Sequence, residues 1–182
     1  ITWRVELVAE LMRHTDSAMV TRDLWGERWS KLVVNSSHNG LSAATGLGGN
    51  GMATHDAARR VQIRMAAESI QVGQALGHVL HVKKGTEPAQ WIAAAKGDAK
   101  AMQGIEDLLL AEVGSRGEGQ RPSMGQDMLK GRKTEIAEIN GHVVEKGAEV
   151  GIATPLNAAM VDLVQRCERG EIAPDPKNIE AW

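Results

Sequence analysis

The hydrophobic period restricts this chain more than any other feature. Apolar residues recur at helical spacing along nearly its whole length, and strand-like alternation never lasts beyond a few residues. A chain of amphipathic helices hides its apolar stripes by packing helix on helix. The pattern therefore predicts an all-α fold, a helical bundle-like domain.

Residues 5–14 place Val8, Leu11 and Met12 on one helical face, and residues 17–21 read as an extended link. A second helix is expected from Leu24 to Ser37, burying Trp25, Trp29, Leu32, Val33 and Ser36. The glycine-rich stretch 39–51 is expected to break it, with Asn39-Gly40 as its C-terminal cap. Thr54 is the expected N-cap of a helix reaching Ala75, with Val61, Met65, Val72 and Leu76 inward. Pro88 suits the first position of a helix carrying Trp91 and Ile92, and Met102, Ile105, Leu108 and Leu109 mark the next face. Residues 114–122 read as the clearest loop. Ser123 and Gln126 read as a capping box. A helix from Glu135 to Val150 is stopped by Gly151. Thr154-Pro155 opens the last helix, with Leu156, Met160, Leu163, Val164 and Cys167 on its inner face, and the tail is expected to be irregular.

Composition narrows the function classes. A net charge of −2 leaves no field for nucleic acid or an anionic membrane, and the run Lys130–Lys133 reads as a solvated loop. No apolar run approaches the roughly 20 residues of a membrane span. One cysteine, Cys167, excludes an intrachain disulfide and points to the reducing cytoplasm; its place on an apolar stripe reads as buried filler. The chain has no Phe and no Tyr, so its 5 Trp and 8 Met must supply much of the bulk of the core. Residue 1 is Ile, so the true N-terminus is expected to lie upstream.

Residues 46–51 satisfy G-x-G-x-x-G, a pattern associated with dinucleotide binding. That fingerprint belongs to a strand–turn–helix, whereas the residues before it read as a helix end, so the segment reads as a loop. Lys31, Asn35 and Asn39 recur every fourth residue and would form one stripe if the helix persisted to Asn39. An ammonium and two amides in a row suit a ketone oxygen and a carboxylate, and equally suit a snorkelling lysine with a helix cap. Ser123 and Glu135 each carry a capping or first-turn reading. The six histidines fall on separate segments and read as packing or surface groups rather than a metal site.

Two segments read together point further. Trp29-Ser30-Lys31-Leu32-Val33-Val34-Asn35, followed by Asn39-Gly40-Leu41-Ser42-Ala43, resembles W-x-K-L-x-x-N-x-x-x-N-x-L-[ST]-A of the ketopantoate reductase family. Ser123-Met124 with Asp127, then Arg132, Thr134-Glu135-Ile136 and Ile139-Asn140-Gly141, resembles its S-M-x-x-D and R-x-T-E-I-x-x-I-N-G segment. Thr154-Pro155 with Asn157 resembles its T-P-x-N. The resemblance covers about residues 5–170. It implies the family's C-terminal helical domain, of the 6-phosphogluconate dehydrogenase C-terminal-like kind, without the Rossmann domain that precedes it. Residues 1–20 would be the end of that Rossmann domain and its link, 21–170 the substrate and dimerisation domain, and 171–182 the irregular tail.

The implied activity is NADPH-dependent reduction of 2-dehydropantoate, a 2-keto acid, to pantoate in pantothenate biosynthesis, by an enzyme that can form a homodimer. This half alone would be inactive, with NADPH held mainly by the missing half. The resemblance makes Lys31 the catalytic lysine and Glu135 the acid near it. It makes Asn35, Asn39 and Ser123 substrate-binding residues, and Asn50 falls near a further substrate asparagine. Pro122 stands where the family often has a second serine, and the 46–51 segment is unusually rich in glycine; both bear on substrate identity more than on reaction type. Two alternatives stay open: a helical oligomerisation or binding module that has lost catalysis, and a dehydrogenase for another 2-keto acid, including an opine-type enzyme.

Overall fold

The computed structural model describes residues 1–82, 85–114, 117 and 119–182. Every regular element among the described residues is helical. α1 (Trp3–Arg13) leads through a non-helical link into α2 (Leu24–Thr45), which is followed by α3 (Gly49–Thr54) and α4 (Asp56–Ala75). Then come α5 (Pro88–Ala95), α6 (Ala99–Ala111) and α7 (Ser123–Leu129). A π-turn (Ala137–Gly141) runs directly into α8 (His142–Glu149), and α9 (Pro155–Glu168) precedes a 3-10 turn (Pro176–Ile179).

α2 is the spine. The Asp23 carboxylate caps its start by accepting from the Gly26 N–H at 2.9 Å. The helix does not break at Asn39-Gly40, as its glycine content suggests; it continues to Thr45 and stops at Gly46, whose φ is 71°. Gly40 has a different purpose. A Cβ there would lie 2.9 Å from both Ile136 Cδ1 and Met160 Cγ, so the glycine lets the π-turn and α9 press against the α2 backbone.

The first half of α2 belongs to a cluster around Trp29, Val33, Ile63, Ile70, Trp91, Ile105 and Val143. Its second half belongs to another, built on Leu41, Met52, Met65, Met124, Ile136, Met160 and Val164. Those four methionines are fully buried, which is how a core without Phe or Tyr fills its irregular spaces.

Several expectations change. Val8, Leu11 and Met12 share a helical face, but that face is open: Leu11 is 60% exposed and Trp3 73%. Trp25 sits on the same helix as buried Trp29 yet is 65% exposed, because the core of α2 begins one turn later. His55, not Thr54, caps α4, its Nδ1 lying 3.4 Å from the Ala58 N–H, while Thr54 closes α3. The tail is not wholly irregular. Ile179 of the 3-10 turn is fully buried, and the Asp175 N–H and the Asn178 amide both donate to the Ala44 carbonyl at the end of α2. The 114–122 loop lies partly outside the described residues, at Ser115, Arg116 and Glu118.

Two glycine substitutions should separate close packing from helix propensity. Gly40→Ala should lower stability by about 1–3 kcal/mol through overpacking. Gly104→Ala, in the interior of α6 with nothing within 4 Å of the added Cβ, should raise it by about 0.5–1 kcal/mol. Urea midpoints of the two variants check this; equal shifts of the same sign would contradict it.

Candidate functional site

The uninterrupted α2 makes the polar stripe real. Lys31, Asn35 and Asn39 lie at successive four-residue steps of a single helix, spanning roughly 12 Å at the usual rise per residue. Lys31 is exposed, and Asn35 and Asn39 are half-buried.

Ser123 enters from α7. It is the first residue of that helix, not its cap: Pro122, at φ −54° and ψ 157°, occupies the N-cap position, and the Gln126 N–H donates to the Pro122 carbonyl. The expected capping box does not form, because the Gln126 side chain donates to the Arg121 carbonyl instead. The serine hydroxyl is therefore left for another partner. The Asn39 amide donates to it at 3.3 Å, joining residues 84 apart in sequence.

Glu135 stands immediately before the helical segment that the π-turn begins. Its carbonyl accepts from the Ile139 N–H, and its exposed carboxylate lies at the end of the helix whose dipole favours an acid. The next residue, Ile136, packs on Gly40, one position from Asn39, so Glu135 stands near the Asn39 level of α2. Among the described residues neither the Lys31 nor the Glu135 side chain makes a hydrogen bond or an ion pair, with each other or with any other group.

Asn50 comes from a different element. It is in α3, its Oδ1 accepts from the Gly114 N–H at 3.4 Å, and it lines a small crevice with His38 and Gln62. The glycine motif around it follows a helix. Gly46 terminates α2 and Gly49 begins α3, so the segment has no strand–turn–helix geometry for a pyrophosphate.

Sequence reasoning missed two features. His38 follows Asn35 by three residues and so borders the stripe. Its Nδ1 is 2.9 Å from the Val34 carbonyl, to which it can only donate, and its Nε2 lies 3.2 Å from the Gln62 amide nitrogen. The spacing was the available signal. The second feature is a buried chain behind the stripe. The Asn140 amide donates to the Ser36 carbonyl at 2.8 Å and to Asn157 Oδ1 at 2.9 Å. Glu68 then accepts from the Asn157 amide at 2.8 Å. This chain fixes the π-turn against α2, the helix that carries Asn39.

Cys167 is 7% exposed on the inner face of α9. Burial pushes its thiol above the ordinary value, so it is poorly suited to act as a nucleophile. The folded chain should resist iodoacetamide at about pH 7.5 and react once urea unfolds it. Rapid labelling before unfolding, followed by mass spectrometry, would show that the α9 face opens.

Comparison with known proteins shows the family of the chain. Residues 23–168 match the family model described as the ketopantoate reductase PanE/ApbA C terminal. The 2-dehydropantoate 2-reductase of Pyrobaculum aerophilum is 29% identical over 165 residues, covering 90% of this chain and 51% of that protein. That of Mesorhizobium japonicum is 31% identical over 170 residues, 92% of this chain and 45% of the relative. The chain thus spans about half the length of the relatives it matches. Among solved structures, the 2-dehydropantoate 2-reductase from Geobacter metallireducens superposes with TM-score 0.69 at 26% identity, covering 91% of this chain and 49% of that one. A D-mandelate dehydrogenase solved with NADH superposes with TM-score 0.71 at 22% identity, covering 92% of this chain and 50% of that one, a likeness of fold.

Proposed function

We propose, for a chain that belongs to the C-terminal domain family of the ketopantoate reductases, that it forms the substrate half of an NADPH-dependent 2-keto-acid reductase acting on 2-dehydropantoate. The contact between Asn39 and Ser123 carries the reading. It joins two otherwise ordinary polar residues from distant segments at one edge of the Lys31 stripe. The open apolar face of α1 supports a second element of it, that residues 1–20 pack on a nucleotide-binding domain, with 21–170 as the substrate domain. No described helix is long and apolar enough to cross a membrane. A cytoplasmic homodimer completes the reading.

The division of labour follows from charge. The glycine segment of this chain does not fit a pyrophosphate, so the nucleotide is assigned to the other half of the enzyme. NADPH, when bound there, supplies a hydride to the ketone carbon. Negative charge then grows on the ketone oxygen, and the Lys31 ammonium stabilises it and gives it a proton, completing the alcohol. Asn35, Asn39 and the Ser123 hydroxyl hold the substrate carboxylate with neutral donors, and Asn50 is assigned to the substrate's far side. Glu135 orients the Lys31 ammonium or accepts the substrate hydroxyl.

Joined to a nucleotide-binding domain, the chain should reduce 2-dehydropantoate, and Lys31→Ala should lower kcat on the order of 100-fold with a smaller effect on KM. Asn35→Ala and Ser123→Ala should act mainly on KM. The 182-residue chain alone should bind no NADPH by calorimetry. An unchanged kcat for Lys31→Ala would remove the lysine from the reaction. A joined enzyme that reduced other 2-keto acids but not 2-dehydropantoate would change the substrate and keep the chemistry. One that reduced no 2-keto acid would leave a binding module.

A further inference from the structure

Toward the N-terminal end of α2, beyond the Lys31 stripe, the surface opens into a cleft of about 500 Å³ between α2, α8 and the chain around His78. A cleft of that size accommodates a small molecule. Leu32 and Leu76, with the small accessible part of Trp29 between His78 and His142, give it an apolar body.

Its charges are not equally available. Lys146 is held by both carboxylate oxygens of Glu149, at 2.7 and 2.9 Å, so that pair is satisfied internally. Arg28 is held differently. Its guanidinium lies over the Trp25 ring, 5.1 Å from the centroid, and among the described residues it has no hydrogen bond or ion pair. Stacking restrains the flat face of a guanidinium and leaves its N–H edge free, and that edge fits a carboxylate through two parallel hydrogen bonds. Glu138 also lines the cleft without an ion pair and works against an anion.

We propose that this cleft binds a small monocarboxylate with a flat apolar body, its carboxylate on the free edge of Arg28 and its hydrocarbon against Trp29, Leu32 and Leu76. The site goes beyond the reductase reading and does not rest on it. All its residues belong to this chain, and neither nucleotide nor turnover is needed to detect it.

The test is a titration of the ¹⁵N-labelled chain with 3-phenylpropanoate, followed by NMR through the indole N–H signals. Those of Trp25 and Trp29 should shift saturably, and that of Trp182 should not. The uncharged 3-phenylpropanamide should bind about tenfold more weakly, and Arg28→Gln should weaken binding of the acid by a similar factor. Arg28 is exposed, so its replacement leaves the core intact, which the dispersion of the spectrum checks. Glu138→Gln should bind the acid at least as tightly as the parent chain. The proposal is overturned by no saturable shift up to about 20 mM, by equal binding of acid and amide, or by an Arg28→Gln chain that binds normally. Weaker binding by Glu138→Gln would overturn it too, because the cleft would then select a cation.

Discussion

One buried carboxylate organises the centre of this molecule. Glu68, on α4, accepts from the Leu156 N–H at 3.0 Å, the Asn157 N–H at 3.0 Å and the Asn157 amide at 2.8 Å. The first backbone N–H groups of α9 have no partner within their own helix, and the helix dipole favours an anion there. No cation needs to be buried with the acid, because oriented N–H donors compensate it. Its further effect is on Asn157. With its amide nitrogen pinned, Asn157 must present Oδ1 to Asn140, and Asn140 in turn must reach the Ser36 carbonyl of α2. Four separate segments thereby acquire one relative position. Apolar contacts alone specify position less sharply, since methionine-rich packing tolerates sliding whereas a hydrogen-bond chain does not.

The chain also accounts for the π-turn. Asn140 lies in the middle of Ala137–Gly141, and the wider turn presents its side chain inward. Among the described residues Asn140 Oδ1 finds no partner, an unusual state for a buried acceptor. It faces Gly40, where a Cβ would lie 3.3 Å away. Close approach of two backbones and an unsatisfied oxygen thus occur at one place, beside Asn39. Such irregularities are commonly concentrated where geometry serves a ligand.

The sequence made the helices legible, with Pro88, Pro155 and Gly151 marking ends the structure retains. The length of α2 was not legible, because a glycine signals a helix stop and a close approach with the same letter. Gly46 is the stop and Gly40 the approach, and only the position of Ile136 and Met160 tells them apart. Periodicity likewise says which residues share a face, not whether anything covers it; Val8 and Leu11 share a face that stays open. For the candidate site, the four-residue spacing made the Lys31–Asn39 stripe visible. Ser123 was read as a cap because a serine before a helix usually is one, and its release depended on Pro122 taking that role. Asn140 and Asn157 stood out only through resemblance, since neither letter announces a buried partner in another segment.

The distribution of satisfied charges carries the last step. Arg59 reaches Asp56 at 2.7 Å and Glu106 at 3.1 Å, and Lys146 reaches Glu149. These groups found their partners within this chain, and their pairing holds α4 to α6 and steadies the end of α8. Among the described residues the Lys31 and Glu135 side chains did not, although the α2 that carries Lys31 and the π-turn that follows Glu135 are tied together by Asn140. Both side chains are exposed, so water solvates each charge and leaving them unpaired costs little. A ligand that brings its own acceptor to Lys31 then meets an ammonium that no internal carboxylate has already neutralised, in a place whose geometry was settled by the buried residues behind it.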